Sequence, residues 1–173
     1  MAGKLIISLD FELMWGVRDH ASANTYGDAV MGGRRAIPEI LRQFSRYGVR
    51  ATWATVGLLF ARTRSEMLDD SPDIKPRYES AKLSSYPAIM TEVGQNEAED
   101  PLHFGRSLID RIADTNGQEI ATHTFAHYYC LEPGQSLEAF EADFKSARAI
   151  AAAAGHPVKS IVFPRNQYSD AHI

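Results

Sequence analysis

Cysteine is almost missing. Cys130 is the only one in 173 residues, which excludes a disulfide framework and any zinc centre built on several thiolates. A metal in this chain would have to be held by histidine and carboxylate. Long apolar runs are missing as well. A stretch such as LIISL (5–9) falls far short of the roughly 20 residues of a membrane-spanning helix. The N-terminus has no basic region followed by an apolar core and a small-residue cleavage site, so the expectation is a cytoplasmic protein with no membrane span. An excess of positive charge is also lacking. Lys and Arg number 18 against 22 Asp and Glu, for a net charge of −4, which leaves no electrostatic footprint for a nucleic-acid partner. What remains is ordinary globular composition, and 45% hydrophobic residues over this length suffice for one domain with a real core.

Strand-like and helix-like segments alternate along the chain. KLIISLDF (4–11), VRATWATVG (49–57), QEIATHTF (118–125) and VKSIVFP (158–164) read as buried strands, being short, apolar and rich in β-branched residues. GRRAIPEILRQFSRYG (33–48) places Ile37, Ile40, Leu41 and Phe44 at helical spacing and stops at Gly48. PLHFGRSLIDRIADTNG (101–117) begins with Pro101 and ends at Gly117, and SLEAFEADFKSARAIAAAAG (136–155) has Ser136 as its N-cap and Gly155 as its stop. Residues 62–100 break this rhythm, with prolines, many charges and weak periodicity. They are expected to form an extension or flap beside a site. The β-α-β-(insertion)-α-β-α-β order predicts parallel strands joined by right-handed crossovers, in an open α/β sheet or part of a barrel. Sites in both architectures gather at the C-terminal ends of the strands.

Two acids, Asp10 and Glu12, stand at the end of the first strand. Side chains alternate along a strand, so both point the same way while Phe11 points the other. Like charges that close raise one another's pKa unless a cation lies beside them. The third strand ends at His123, and His127 comes four residues later in HTFAH. Two imidazoles with one carboxylate leave open coordination positions on a zinc-like ion. His20, His103, His156 and His172 lack such a setting and read as surface or packing residues.

LDFE, ATWATVG (51–57) and GQEIATHTFAH (117–127) together resemble the polysaccharide deacetylase family, the NodB-type carbohydrate esterases. ATWATVG matches that family's A-T-F-F-V-x-G strand, and GQEIATHTFAH its G-H-E-I-x-x-H-[ST]-x-x-H motif. The resemblance implies an irregular parallel (β/α) barrel and a divalent metal, most often zinc. It also implies hydrolysis of N-acetyl groups on amino sugars or polysaccharides, with an N-acetylated carbohydrate as partner. By the D-x-E form of the first motif, Asp10 would be the catalytic base and Glu12, His123 and His127 the metal ligands. The commoner form has adjacent aspartates, where this chain has Phe11, so metal binding by Asp10 stays open. FPRNQ (163–167) is similar to the family's arginine-proline element with its order changed, which makes Arg165 the residue expected to orient the base. Trp15, Trp53 and Tyr168 are the candidate substrate-binding aromatics.

The chain carries about half the β/α units of a closed barrel. It therefore reads as a single domain, 1–173, that is incomplete at its C-terminal side. Its outer strands would expose unpaired edges, from which a homo-oligomer is expected. Hydrolysis of a small non-sugar amide on the same fold, or a catalytically silent sugar-binding domain, are the alternative functions.

Overall fold

The structure, a computed structural model, describes residues 3–173. The apolar start of the chain becomes a strand only over its last residues, β1 (Ser8–Phe11). A long helix, α1 (Ala23–Tyr47), leads to β2 (Ala51–Thr55). Two short helices, α2 (Arg64–Asp69) and α3 (Tyr86–Thr91), precede α4 (Arg106–Ala113), β3 (Gln118–Thr122) and α5 (Leu137–Ala153). The result is an α/β fold on a parallel sheet in the order β1-β2-β3. Asp10, Ala54 and Ala121 are aligned across it, as are Phe11, Thr55 and Thr122. The three strands therefore end level, and the segments leaving their C-terminal ends meet at one edge of the sheet.

Leu9, Trp53 and Ile120 are also in register, and they join Ile37, Ile40, Leu41 and Phe44 of α1 in the main core. The apolar positions of α1 predict this face correctly. Its start lies ten residues earlier than the periodicity suggests, because the polar and glycine-rich ANTYGDAVMGG carries little apolar pattern. Gly48, at φ 64°, ends the helix in the left-handed region that glycine enters without a Cβ clash. The expected helix over 101–117 shortens to α4, with Pro101 lying in a turn before it.

Two expectations are corrected. Residues 158–164 do not form a fourth strand, because only Ile161 bridges to Thr122. Ser160 and Val162 bond Thr122 on either side of it, and the chain then turns away. Residues 62–100 are not a loose flap either. Met67, Ala88, Ile89 and Val93 are buried in the main core, supplied by helices of six residues each that are too short to show a period. Three strands leave the sheet open, with β1 at an edge and Leu5 and Ile6 exposed beside it. Among the described residues, no helix is long and apolar enough to cross a membrane.

Met67 and Ile89 are fully buried while Met90 is 60% exposed. Met67→Ala or Ile89→Ala should therefore destabilise the fold by ~2–5 kcal/mol, and Met90→Ala by less than ~0.5 kcal/mol. Urea unfolding of the three variants checks this. Near-wild-type stability in the first two would make the segment peripheral after all.

Candidate metal centre

Glu12 directly succeeds β1, and a 3-10 turn over Leu13–Gly16 carries the chain away from the sheet edge. The turn is pinned from outside: the Trp15 indole N–H donates to His103 O at 2.9 Å, and Met14 N donates to Leu102 O at 3.1 Å. Gly16 is required by space. A Cβ there would fall onto the Glu12 carboxyl group, so only glycine leaves that carboxylate its place.

The second contribution is the loop from His123 to Cys130, which has no regular structure and is buried throughout. Backbone N–H and C=O groups buried in an irregular loop need partners. His123 N donates to Thr55 O, Gly57 N to Thr124 O and Leu58 N to Phe125 O. Phe125 N and Ala126 N both donate to the Asp143 carboxylate, at 2.6 and 3.1 Å. Ser85 Oγ donates to Ala126 O, Tyr128 N to Thr124 Oγ1 and Tyr129 N to the Tyr78 hydroxyl. The close approach to the exit of β2 requires Gly57, whose Cβ would lie 2.8 Å from Phe125 Cα.

These two pieces bring Glu12, His123 and His127 together, one ligand atom of each lying within 4.8 Å of the others. His127 Nε2 is 3.0 Å from Glu12 Oε2, and His123 Nε2 is 3.5 Å from the same oxygen. Both imidazoles are buried and the carboxylate is a quarter exposed. His123 Nδ1 lies 2.8 Å from Val162 O, and a carbonyl only accepts, so Nδ1 carries the proton. Its Nε2 is then a lone pair, buried without a hydrogen-bond partner and facing a carboxylate oxygen. Burial works to raise the Glu12 pKa, but the two histidines beside it outweigh this and bring it to about 2. Burial pushes His127 down against the pull of Glu12. An ionised carboxylate thus faces two imidazoles, a donor set suited to a divalent cation.

The chain matches the polysaccharide deacetylase family over residues 17–173. It belongs to that family. The match begins beyond Glu12, so the acidic arm of the centre rests on the geometry above. No curated protein matches the chain.

Other residues of this family member take places that the sequence predicts unevenly. Asp10 is exposed and shares with Glu12, Leu13, Tyr26 and Trp53 the wall of a cleft of about 320 Å³. Arg165 pairs with Asp19 and not with Asp10: its Nη2 lies 2.8 Å from both Asp19 oxygens, and its guanidinium sits 4.8 Å from the centre of the Tyr129 ring. Tyr129 in turn packs edge-on against His127 at 5.0 Å. Trp15 is fully buried, with its N–H spent on His103, and offers no face to a ligand. Trp53 is 3% exposed, bonded to Gln118, and reaches the cleft only as part of its wall. Tyr168 is half exposed and packs on Phe163.

Sequence reasoning passes over Gly16, Gly57, Asp19, Tyr129 and Asp143. Gly16, four residues after Glu12, and Gly57, closing the ATWATVG strand, are readable as signs of close approach. The other three give no local signal. Leu13, Thr124, His127, Arg165 and Asn166 are the non-glycine residues with positive φ among those described. Each belongs to the centre or to the arm that carries Arg165.

Burial would raise the Asp19 pKa, yet hydrogen bonds from Arg165 and His20 outweigh it and leave it lowered. A lowered acid contributes stability above its unfolded pKa, and that contribution is lost as pH falls through the folded value. Arg165→Ala should therefore move the Asp19 titration upward in an NMR pH series. An unmoved titration would mean that the pair does not form in solution.

Proposed function

We propose that this chain is a metal-dependent hydrolase that removes N-acetyl groups from an amino sugar or polysaccharide. Glu12, His123 and His127 hold one divalent cation, zinc by the chemistry of the donor set. The observation that carries the reading is His123 Nε2, a buried lone pair with no partner that faces Glu12 Oε2 at 3.5 Å. Two acceptors so placed repel each other unless a cation lies between them. Such a cation supplies a Lewis acid for the amide carbonyl and acidifies water beside it.

The remaining work falls to the chain. The Val162 carbonyl keeps the proton on His123 Nδ1, which holds Nε2 ready to ligate. Asp10, on the same cleft wall as Glu12, takes the proton from the attacking water as general base. Arg165, stacked on Tyr129 beside His127, places a fixed positive charge at the rim that orients the substrate. The half-exposed Tyr168 is the aromatic surface for a sugar ring. Membership of the family supports an acetylated carbohydrate as the substrate class.

One observation favours a second assignment of the base. The partner of Arg165 is Asp19, and the arginine is expected beside the base. In this reading Asp19 takes the proton and Asp10 is a surface acid.

Elemental analysis of the purified protein should give about one divalent metal per chain, falling well below that in His123→Ala, His127→Ala and Glu12→Ala. Unchanged stoichiometry in these variants would sink the site. On acetylated glucosamine oligomers, Asp10→Asn should keep its metal and lose acetate release by ~10²–10⁴-fold. Loss of metal instead would exchange the roles of Asp10 and Glu12. Full activity in Asp10→Asn with loss in Asp19→Asn would transfer the base to Asp19.

A further inference from the structure

Asp143 is a fully buried acid that the proposed chemistry does not use. It projects from the middle of α5 into the loop between the two histidines. Its Oδ1 accepts from Phe125 N at 2.6 Å, and its Oδ2 from Ala126 N at 3.1 Å and from the Tyr86 hydroxyl at 3.2 Å. Phe125 and Ala126 lie between His123 and His127, and the flanking Thr124 and His127 hold left-handed backbone at φ 63° and 57°. A carboxylate is the side chain that offers an acceptor to each of two successive N–H groups without presenting a donor of its own. An asparagine there would satisfy one amide and turn its NH₂ group toward the other. The third donor comes from the 62–100 segment, which also reaches this loop through Ser85 and Tyr78.

We propose that Asp143 is the positioning residue of the metal centre: through the Phe125 and Ala126 amides it fixes the separation and aim of His123 and His127, with Tyr86 locking it from the 62–100 segment. The inference rests on the metal reading above. It assigns to Asp143 the role that outer-shell partners play around metal ligands, exerted here through backbone and not through an imidazole nitrogen. Ordinary capping of a buried loop would also use Asp143, and the two roles part company in what the metal reports.

The test is titration of the metal-free full chain with Co²⁺, monitored by its visible absorption, alongside urea unfolding, for the wild type, Asp143→Asn and Tyr86→Phe. Asp143→Asn should weaken cobalt binding by ~10–100-fold and shift the absorption band. Tyr86→Phe, which removes one of three donors, should weaken binding by roughly two- to tenfold. Loss of stability in Asp143→Asn with wild-type affinity and band would overturn the inference and leave a structural cap. If Asp143→Asn does not fold, Tyr86→Phe decides, and wild-type affinity and band in that variant would overturn it. Absence of cobalt binding by the wild type would overturn the metal reading itself, and this inference with it.

Discussion

An irregular stretch of chain, buried from His123 to Cys130, is the constraint to which the surrounding structure answers. Regular elements satisfy their own backbone groups, whereas a buried loop must find partners elsewhere. This loop finds them at the exit of β2, on α5 and in the 62–100 segment. Leaving one such group unpaired costs about 1–3 kcal/mol. The partners are therefore tied to their places as firmly as the loop is. The 62–100 segment, which contributes no ligand, is bound into the architecture for this reason.

The same constraint explains how an acid from β1 meets histidines more than a hundred residues later in the chain. The parallel register ends the three strands level, the turn after β1 swings back over Gly16, and the loop after β3 swings under Gly57. Neither glycine touches a ligand in any chemical sense, but each vacates the volume that the centre occupies. Electrostatics then does the rest. His127, which burial holds toward its neutral form, His123 and a carboxylate that stays ionised form a set of donors assembled before any cation arrives, so little reorganisation is left to oppose binding.

How much of this is readable in advance depends on the range of each signal. The alternation in LDFE points to Asp10 and Glu12 alike, and the HTFAH spacing to His123 and His127, because strand-end position and side-chain chemistry are local properties; which acid joins the histidines is visible only in the folded chain. The helix over 136–155 is legible from its cap and its stop, and α5 fills nearly all of it. The strand over 158–164 is not, since its apolar residues are equally consistent with the single bridge at Ile161. Helices of six residues give no period, so the core role of Met67 and Ile89 stays hidden. Arg165 can be picked out as a residue, but its partner cannot. A pairing between positions 19 and 165 is a property of the folded chain alone. Trp15 and Trp53 read as binding surfaces because large aromatics serve that purpose when exposed, and both are buried.

The left-handed backbone at Leu13, Thr124, His127, Arg165 and Asn166 sets this region against the rest of the molecule. Each such residue holds roughly 1–3 kcal/mol of strain that the surrounding packing must restrain. Glycine at Leu13 would relax that tension without removing a candidate ligand, whereas at Thr124 it would also strip the buried Tyr128 N of its partner. Screening variants for thermal endurance alone would therefore reward glycine at Leu13, and the aim of Glu12 would soften in the process. Endurance and precision pull in opposite directions at this end of the sheet, and the bulky side chains that stand there favour a rigid centre over a comfortable fold.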